Sequence, residues 1–143
     1  MSKIKLQNRS NSASQNIKIS LETREMIYDR LSFNLSFITN KTQYSLDNLQ
    51  LKTYKKIISV MQILSNQNIV SILNLRKEHG FEFIESLDKE IIHSEFMTSG
   101  RFDQCVKGYC VFRIANMGRV IGKLNNNMFY VLAIDTQFEL YKH

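Results

Sequence analysis

Apolar and small polar residues alternate from Leu31 to Ile38, reading L-S-F-N-L-S-F-I. The pattern sets Leu31, Phe33, Leu35 and Phe37 on one side and Ser32, Asn34 and Ser36 on the other, the period-two signature of a half-buried strand. Thr39-Asn40-Lys41-Thr42 follows with turn chemistry. From Leu46 to Leu64 the period changes. Leu49, Ile57, Val60, Met61 and Leu64 recur at intervals of three and four or their multiples, with Tyr54 and Ile58 alongside. Lys52, Lys55 and Lys56 take the flank and the opposite side. This predicts an amphipathic helix, capped by Ser45 and with Asp47 and Asn48 in its first turn.

Ser65 to Asn68 interrupts that helix, and a second is predicted over Ile69 to His79. It has Arg76, Lys77 and His79 in its last turn and Gly80 placed for C′. The short connection makes the two helices neighbours. Phe81 to Phe96 carries two signals, because FEFIESL alternates like a strand while KEIIHSEF fits a strand or a helical turn. Ser99-Gly100 marks a loop. Tyr109 to Ala115 is β-branched and aromatic, Asn116-Met117-Gly118 turns, and Arg119 to Leu124 pairs back. Asn125 to Asn127 is a hairpin signal, since Asn tolerates positive φ. Met128 to Ile134 is almost wholly apolar, as befits a central strand covered by helices. Asp135-Thr136-Gln137 then turns towards a short closing strand at Phe138 to Tyr141.

Upstream, residues 1–16 are rich in Ser, Asn, Gln and Lys and bury too little to offset their ordering entropy, which predicts a flexible basic arm. Between Ile17 and Arg30 a short helix is expected, with acidic and basic residues spaced for an i,i+3 or i,i+4 ion pair. The organisation predicted is an arm at 1–16 and one α+β domain at 17–143. Its sheet is an antiparallel meander with the helix pair packed on one face.

A chain of 143 residues with 43% apolar content fits one core. No apolar run reaches the roughly 18 residues of a membrane span, and the basic N-terminus lacks the apolar stretch of a secretory signal. A cytoplasmic protein without a membrane partner is therefore expected. Cys105 and Cys110 have neither the number nor the neighbours for a disulfide framework or a zinc site, and read as small core or edge residues. His79, His93 and His143 are dispersed, so no metal is expected. Without a Gly-rich phosphate loop, a nucleophile elbow or HExxH, no cofactor is implied either.

Net charge is +6, unevenly spread. Residues 1–18 carry +4, residues 19–99 carry −1 and residues 100–143 carry +3. The basic excess outside the arm thus falls on the terminal strands, which is compatible with a nucleic-acid surface.

The element order and the terminal pattern resemble the RelE/ParE-type toxin superfamily, whose YoeB-like and RelE-like members are ribosome-associated mRNA interferases. The residues that carry the resemblance are Arg113 or Arg119 on a strand, Asn125 to Asn127, the strand FYVLAID, and Leu140-Tyr141. The segment GRVIGKLNNNMFYVLAIDTQFELY is also similar to small bacterial and phage-associated proteins with a glycine–strand–aspartate–tyrosine ending. This sequence departs from the family where a basic residue or His normally precedes the final segment: here stands Asp135-Thr136-Gln137-Phe138. The resemblance implies a RelE-like fold, a toxin-like endoribonuclease, RNA or the ribosome as target, and a cognate antitoxin as partner.

Cleaving RNA through its 2′-OH requires a proton acceptor, a donor for the leaving oxygen and positive charge for the phosphorane. Metal-independent candidates for catalysis are Arg119, Lys123, Tyr141 and His143, with Arg101, Arg113 and Lys77 for substrate binding. Alternation in the Arg119 strand puts Arg119, Ile121 and Lys123 on one face, so that the two cations hold one phosphate or two neighbouring ones. The ordinary alternative is that both are solvated on an exposed face. Two further readings stand beside the enzyme: a non-catalytic nucleic-acid- or protein-binding module of phage or mobile-element origin, and a homodimer formed through a sheet edge.

Overall fold

The alternation that starts at Leu31 lasts for only three residues as a strand. In the computed structural model, which describes residues 29–142, β1 is Ser32–Asn34. The Asn34 side chain accepts the Ser36 N–H at 2.8 Å, a local bond that competes with the ladder and turns the chain. Leu31 and Phe33 pack against one face of the sheet, Phe37 against the other, and Leu35 is left 49% exposed. The single apolar side predicted for 31–38 is therefore split between two cores.

A 3₁₀ turn at Thr42–Tyr44 leads to α1, Leu51–Ser65. Ser45 does not cap it. Its hydroxyl closes the preceding turn, donating to the Thr42 carbonyl and accepting the Asp47 N–H, and Gln50 takes the N-cap position. The second helix, α2, is shorter than its apolar pattern, Ile69–Leu73, with Asn68 capping through a 2.8 Å bond from Ser71 N–H. Gly80 closes no helix. It packs where an added Cβ would sit 2.7 Å from the Ile72 carbonyl oxygen.

The ambiguous stretch resolves into β2 at Glu82–Ile84, a 3₁₀ turn at Lys89–Ile91, α3 at Ser94–Thr98 and α4 at Arg101–Gln104. β3 (Tyr109–Arg113), β4 (Arg119–Asn125) and β5 (Met128–Asp135) follow as read from the sequence. Asn126, at φ 52°, makes the β4–β5 turn. Phe138 to Tyr141 forms no closing strand and lies as an irregular tail.

The five strands run β1-β5-β4-β3-β2. β2 to β5 pair antiparallel with their sequence neighbours, but β1 lies parallel to β5, so the sheet is mixed and not the wholly antiparallel one expected. Nor are the helices confined to one face. Ile57 and Leu64 of α1 and Ile69 and Ile72 of α2 cover Cys110, Phe112, Val120, Leu124, Phe129 and Val131. On the opposite face Leu87, Ile92, Phe96 and Phe102 cover Tyr109, Val111, Ile121 and Leu132. A register shift beside Ile121 and Gly122 inserts one extra residue into β5 and changes which of its side chains face each layer. The arm at 1–16 and most of the expected helix at 17–30 lie outside the described residues. Among those described, no helix is long and apolar enough to cross a membrane.

Candidate functional site

Strand alternation places Arg119, Ile121 and Lys123 together, as predicted, on the face covered by α3, α4 and the tail. The covering changes their surroundings. Arg119 and Lys123 are each only 3% exposed, so neither is a solvated residue on an open face. Four residues of strand also separate them by about 13 Å, too far to share one phosphate.

Arg119 stands opposite Asp135 in the β4–β5 register. Its Nε and Nη2 lie 3.2 and 3.1 Å from Asp135 Oδ2, and Nη2 donates to the Tyr141 carbonyl at 2.5 Å. The guanidinium stacks on the Tyr141 ring, with Cζ 3.5 Å from its centroid, and Phe138 lies on it at 5.4 Å. The fully buried Asp135 carboxylate also accepts the N–H groups of Glu139 and Leu140 at 3.0 and 2.9 Å. The pair therefore holds the C-terminal tail on the sheet, and its charges are already met by protein groups. Tyr141 donates its hydroxyl to Glu82 at 3.0 Å, and Glu82 stands 3.9 Å from Arg113. Burial, opposed by Arg119 and helped by Glu82, pushes the Tyr141 phenol up to about 12, which makes it a poor proton donor at neutral pH.

Lys123 belongs to a second cluster. Its Nζ donates to the Val106 and Gly108 carbonyls at 2.9 and 2.8 Å and lies 4.5 and 4.9 Å from the Phe102 and Tyr109 ring centroids. The ammonium thus pins the loop between α4 and β3. Burial lowers its pKa, with Cys105 and Asp103 pulling the other way. Cys105 is half-buried and Cys110 fully so, and burial raises the pKa of both thiols, as suits inert packing residues.

Of the remaining candidates, Arg113 joins the Arg119–Tyr141 cluster through Glu82. Arg101 stacks over Phe37 at 5.0 Å, Lys77 is exposed in the loop after α2, and His143 lies outside the described residues. His93 caps α3, its Nδ1 accepting the Glu95 N–H at 3.1 Å. No cluster of His, Cys, Asp or Glu among the described residues could hold a metal.

The site that sequence reasoning missed is on the other layer. Residues 51–80, which make α1, α2 and the following loop, carry five basic side chains and only Glu78 as an acid. Residues 81–104, which make the edge strand β2 and then the cover of the opposite sheet face, carry six acids and two bases. Counting 19–99 as one block cancels the two. Folding separates them, so the sheet lies between a basic layer and an acidic one. Lys52, Lys55, Arg76 and Lys77 are exposed and Lys56 half-buried. Two clefts are lined both by α1 and by residues at or beside the β3–β4 turn. One, of about 300 Å³, has Lys56, Glu78, His79 and Arg113 on its walls and Val60, Leu64 and Phe112 among its apolar lining. The other, of about 400 Å³, lies at the α1 N-terminus and includes Lys52, Thr53, Asn116 and Gln137. Lys52 and Lys56 are one helical turn apart, so α1 presents a cation to each cleft.

No family model matches the chain, and no curated protein or solved structure matches it either. No match therefore identifies it with the RelE/ParE superfamily.

Proposed function

We propose that this chain is a non-catalytic nucleic-acid-binding module that docks through its α1–α2 layer. The observation that carries the reading is the segregation of charge across the sheet, five bases to one acid on one layer and two bases to six acids on the other. A polyanion meets attraction on one side and repulsion on the other, which orients docking without a dedicated base-reading groove. The cleft lined by Lys56 and His79 gives that layer a concave point of contact, where Lys56 reaches a phosphate as a point charge. Contacts of this kind position the strand but do not read its sequence.

The endoribonuclease reading rests on the resemblance of element order and terminal pattern. It asks Arg119, Lys123 and Tyr141 to meet a scissile phosphate, whereas all three already have protein partners. The deciding experiment is an electrophoretic shift with a labelled RNA at several salt concentrations, with the RNA recovered and sized afterwards. Salt-sensitive binding with intact RNA supports the module. Cleavage by the purified chain selects the ribonuclease, its ribosome target and its antitoxin instead, and no shift at low salt removes both.

A further inference from the structure

We infer that the α1–α2 layer takes its nucleic acid as a single strand, with unstacked bases laid on aliphatic side chains and phosphates on the lysines between them. This rests on the docking reading above and names the form of the polyanion. Charge alone does not select that form, because a duplex presents the denser line of phosphates and on that ground would bind better.

Exposed apolar surface makes the selection. Among the described residues eleven large apolar side chains are exposed, and six of them lie on the basic layer: Leu51, Ile58, Ile63, Val70, Leu73 and Leu75. The acidic stretch 81–104 has two, Phe83 and Met97. On α1 the apolar and charged positions interleave. Leu51, Lys55 and Ile58 fall at i, i+4 and i+7 and share one stripe, in which Leu51 is 69% and Ile58 60% exposed. Lys52, Lys56 and Ile63 follow the neighbouring stripe, so each stripe brings cations and apolar groups within about two turns of one another.

A duplex makes poor use of this surface. Its base faces are stacked on one another, its exterior is sugar and phosphate, and apart from the thymine methyl its groove edges are donors and acceptors. A single strand offers unstacked base faces, which bury apolar area whatever the sequence, while its phosphates stay within reach of the lysines. The contact is aliphatic. Tyr54, the only Phe, Tyr or Trp in residues 51–80, is half-buried and gives its hydroxyl to the Leu46 carbonyl.

The test is fluorescence anisotropy of the full chain with a labelled oligodeoxynucleotide of mixed sequence, with the same strand in duplex, and with an abasic strand of equal length. The intact single strand is expected to bind at least about tenfold more tightly than either of the others. Replacing Leu51 and Ile58 together by Ser should weaken the intact strand by roughly tenfold, as two apolar groups lose their cover. The abasic and duplex affinities, the salt slope and Tm should stay as they were, because both positions are exposed. A purely structural role would instead lower Tm and all three affinities together. A duplex that binds as tightly as the single strand, or an abasic strand that matches the intact one, overturns the inference and leaves the docking layer standing. A dimer in sedimentation velocity that the same double substitution disperses gives the apolar side chains to a second copy and also overturns it. No binding of any of the three at low salt removes the docking layer and the inference with it.

Discussion

Arg119 and Asp135 face each other across the β4–β5 ladder and close a buried ion pair at 3.1 Å, to which the tail residues Glu139 and Leu140 add two backbone bonds. One cross-strand pair thus joins the centre of the sheet to the end of the described chain. Breaking a buried pair from one side strands the other charge, so Arg119→Ala should cost about 3–5 kcal/mol. Chemical denaturation measures this, and a loss below about 1 kcal/mol would contradict the account. Asp135→Asn should also speed amide exchange at Glu139 and Leu140 relative to the β3 amides. A growth assay that relies on Arg119→Ala would therefore report folding as much as activity.

Tyr141 makes the alkaline limb of stability testable. Burial, opposed by Arg119 and assisted by Glu82, raises its pKa from an ordinary 10.0 to about 12. A raised folded-state value means that the contribution is complete below pH 10 and is lost between pH 10 and about 12. Tyr141→Phe should flatten the fall of Tm across that window. Identical slopes for the two proteins would place the titration elsewhere.

Lys123 acts with the opposite sign. Burial lowers its pKa from an ordinary 10.5, against Cys105 and Asp103, so the unfolded chain binds its proton more tightly than the folded one. Its charging therefore opposes folding at neutral pH, and the penalty is relieved as pH rises towards 10.5. Lys123→Met should remove this alkaline gain, seen as a wild-type-minus-variant stability difference that grows with pH below 10.5. The same substitution releases the Val106 and Gly108 carbonyls, so susceptibility to proteolysis should rise between α4 and β3.

How much of this was legible beforehand follows from what covers each strand. The Asn126 turn, the apolar β5 and the sharing of a face by Arg119, Ile121 and Lys123 come from local rules of φ and period, and all three hold in the structure. The solvation of that face does not follow from local rules. It depends on residues 85–104, whose helices of five and four residues are too short to show a period, and on a tail held by Asp135. The site was hidden for a related reason. The bases of residues 51–80 and the acids of residues 81–104 cancel along the chain, and only the sheet between them makes the charge visible.

Gly122 tests the packing of the sheet. Its backbone is not in the left-handed region, so a substitution there meets a steric and not a conformational barrier. An added Cβ would lie 2.5 and 2.8 Å from Phe129 Cε1 and Cζ and would also run into the Tyr130 carbonyl oxygen. β4 and β5 are paired at this point beside the register shift, so neither neighbour yields easily. Gly122→Ala should cost at least about 1–3 kcal/mol, the usual range for overpacking. A Tm within a degree or so of the parent would show that the ladder relaxes around the methyl group.

The charged layers supply the sharpest contrast, because two pairs of lysines with equal formal charge predict different outcomes. Lys55 and Lys56 lie on α1, in the basic layer, whereas Lys89 and Lys107 are exposed around the acidic one. Each phosphate contact neutralised by a lysine contributes about −0.9 to the slope of log affinity against log salt on duplex, or about −0.7 on a single strand. Replacing Lys55 and Lys56 by Ala should therefore flatten that slope by up to about two contacts and weaken binding across unrelated sequences alike. Replacing Lys89 and Lys107 lowers net charge equally and should leave the slope nearly unchanged, since those positions face away from the docked strand. Equal losses from the two pairs would mean that the polyanion responds to total charge alone, and the layer would then have no claim to be the docking face.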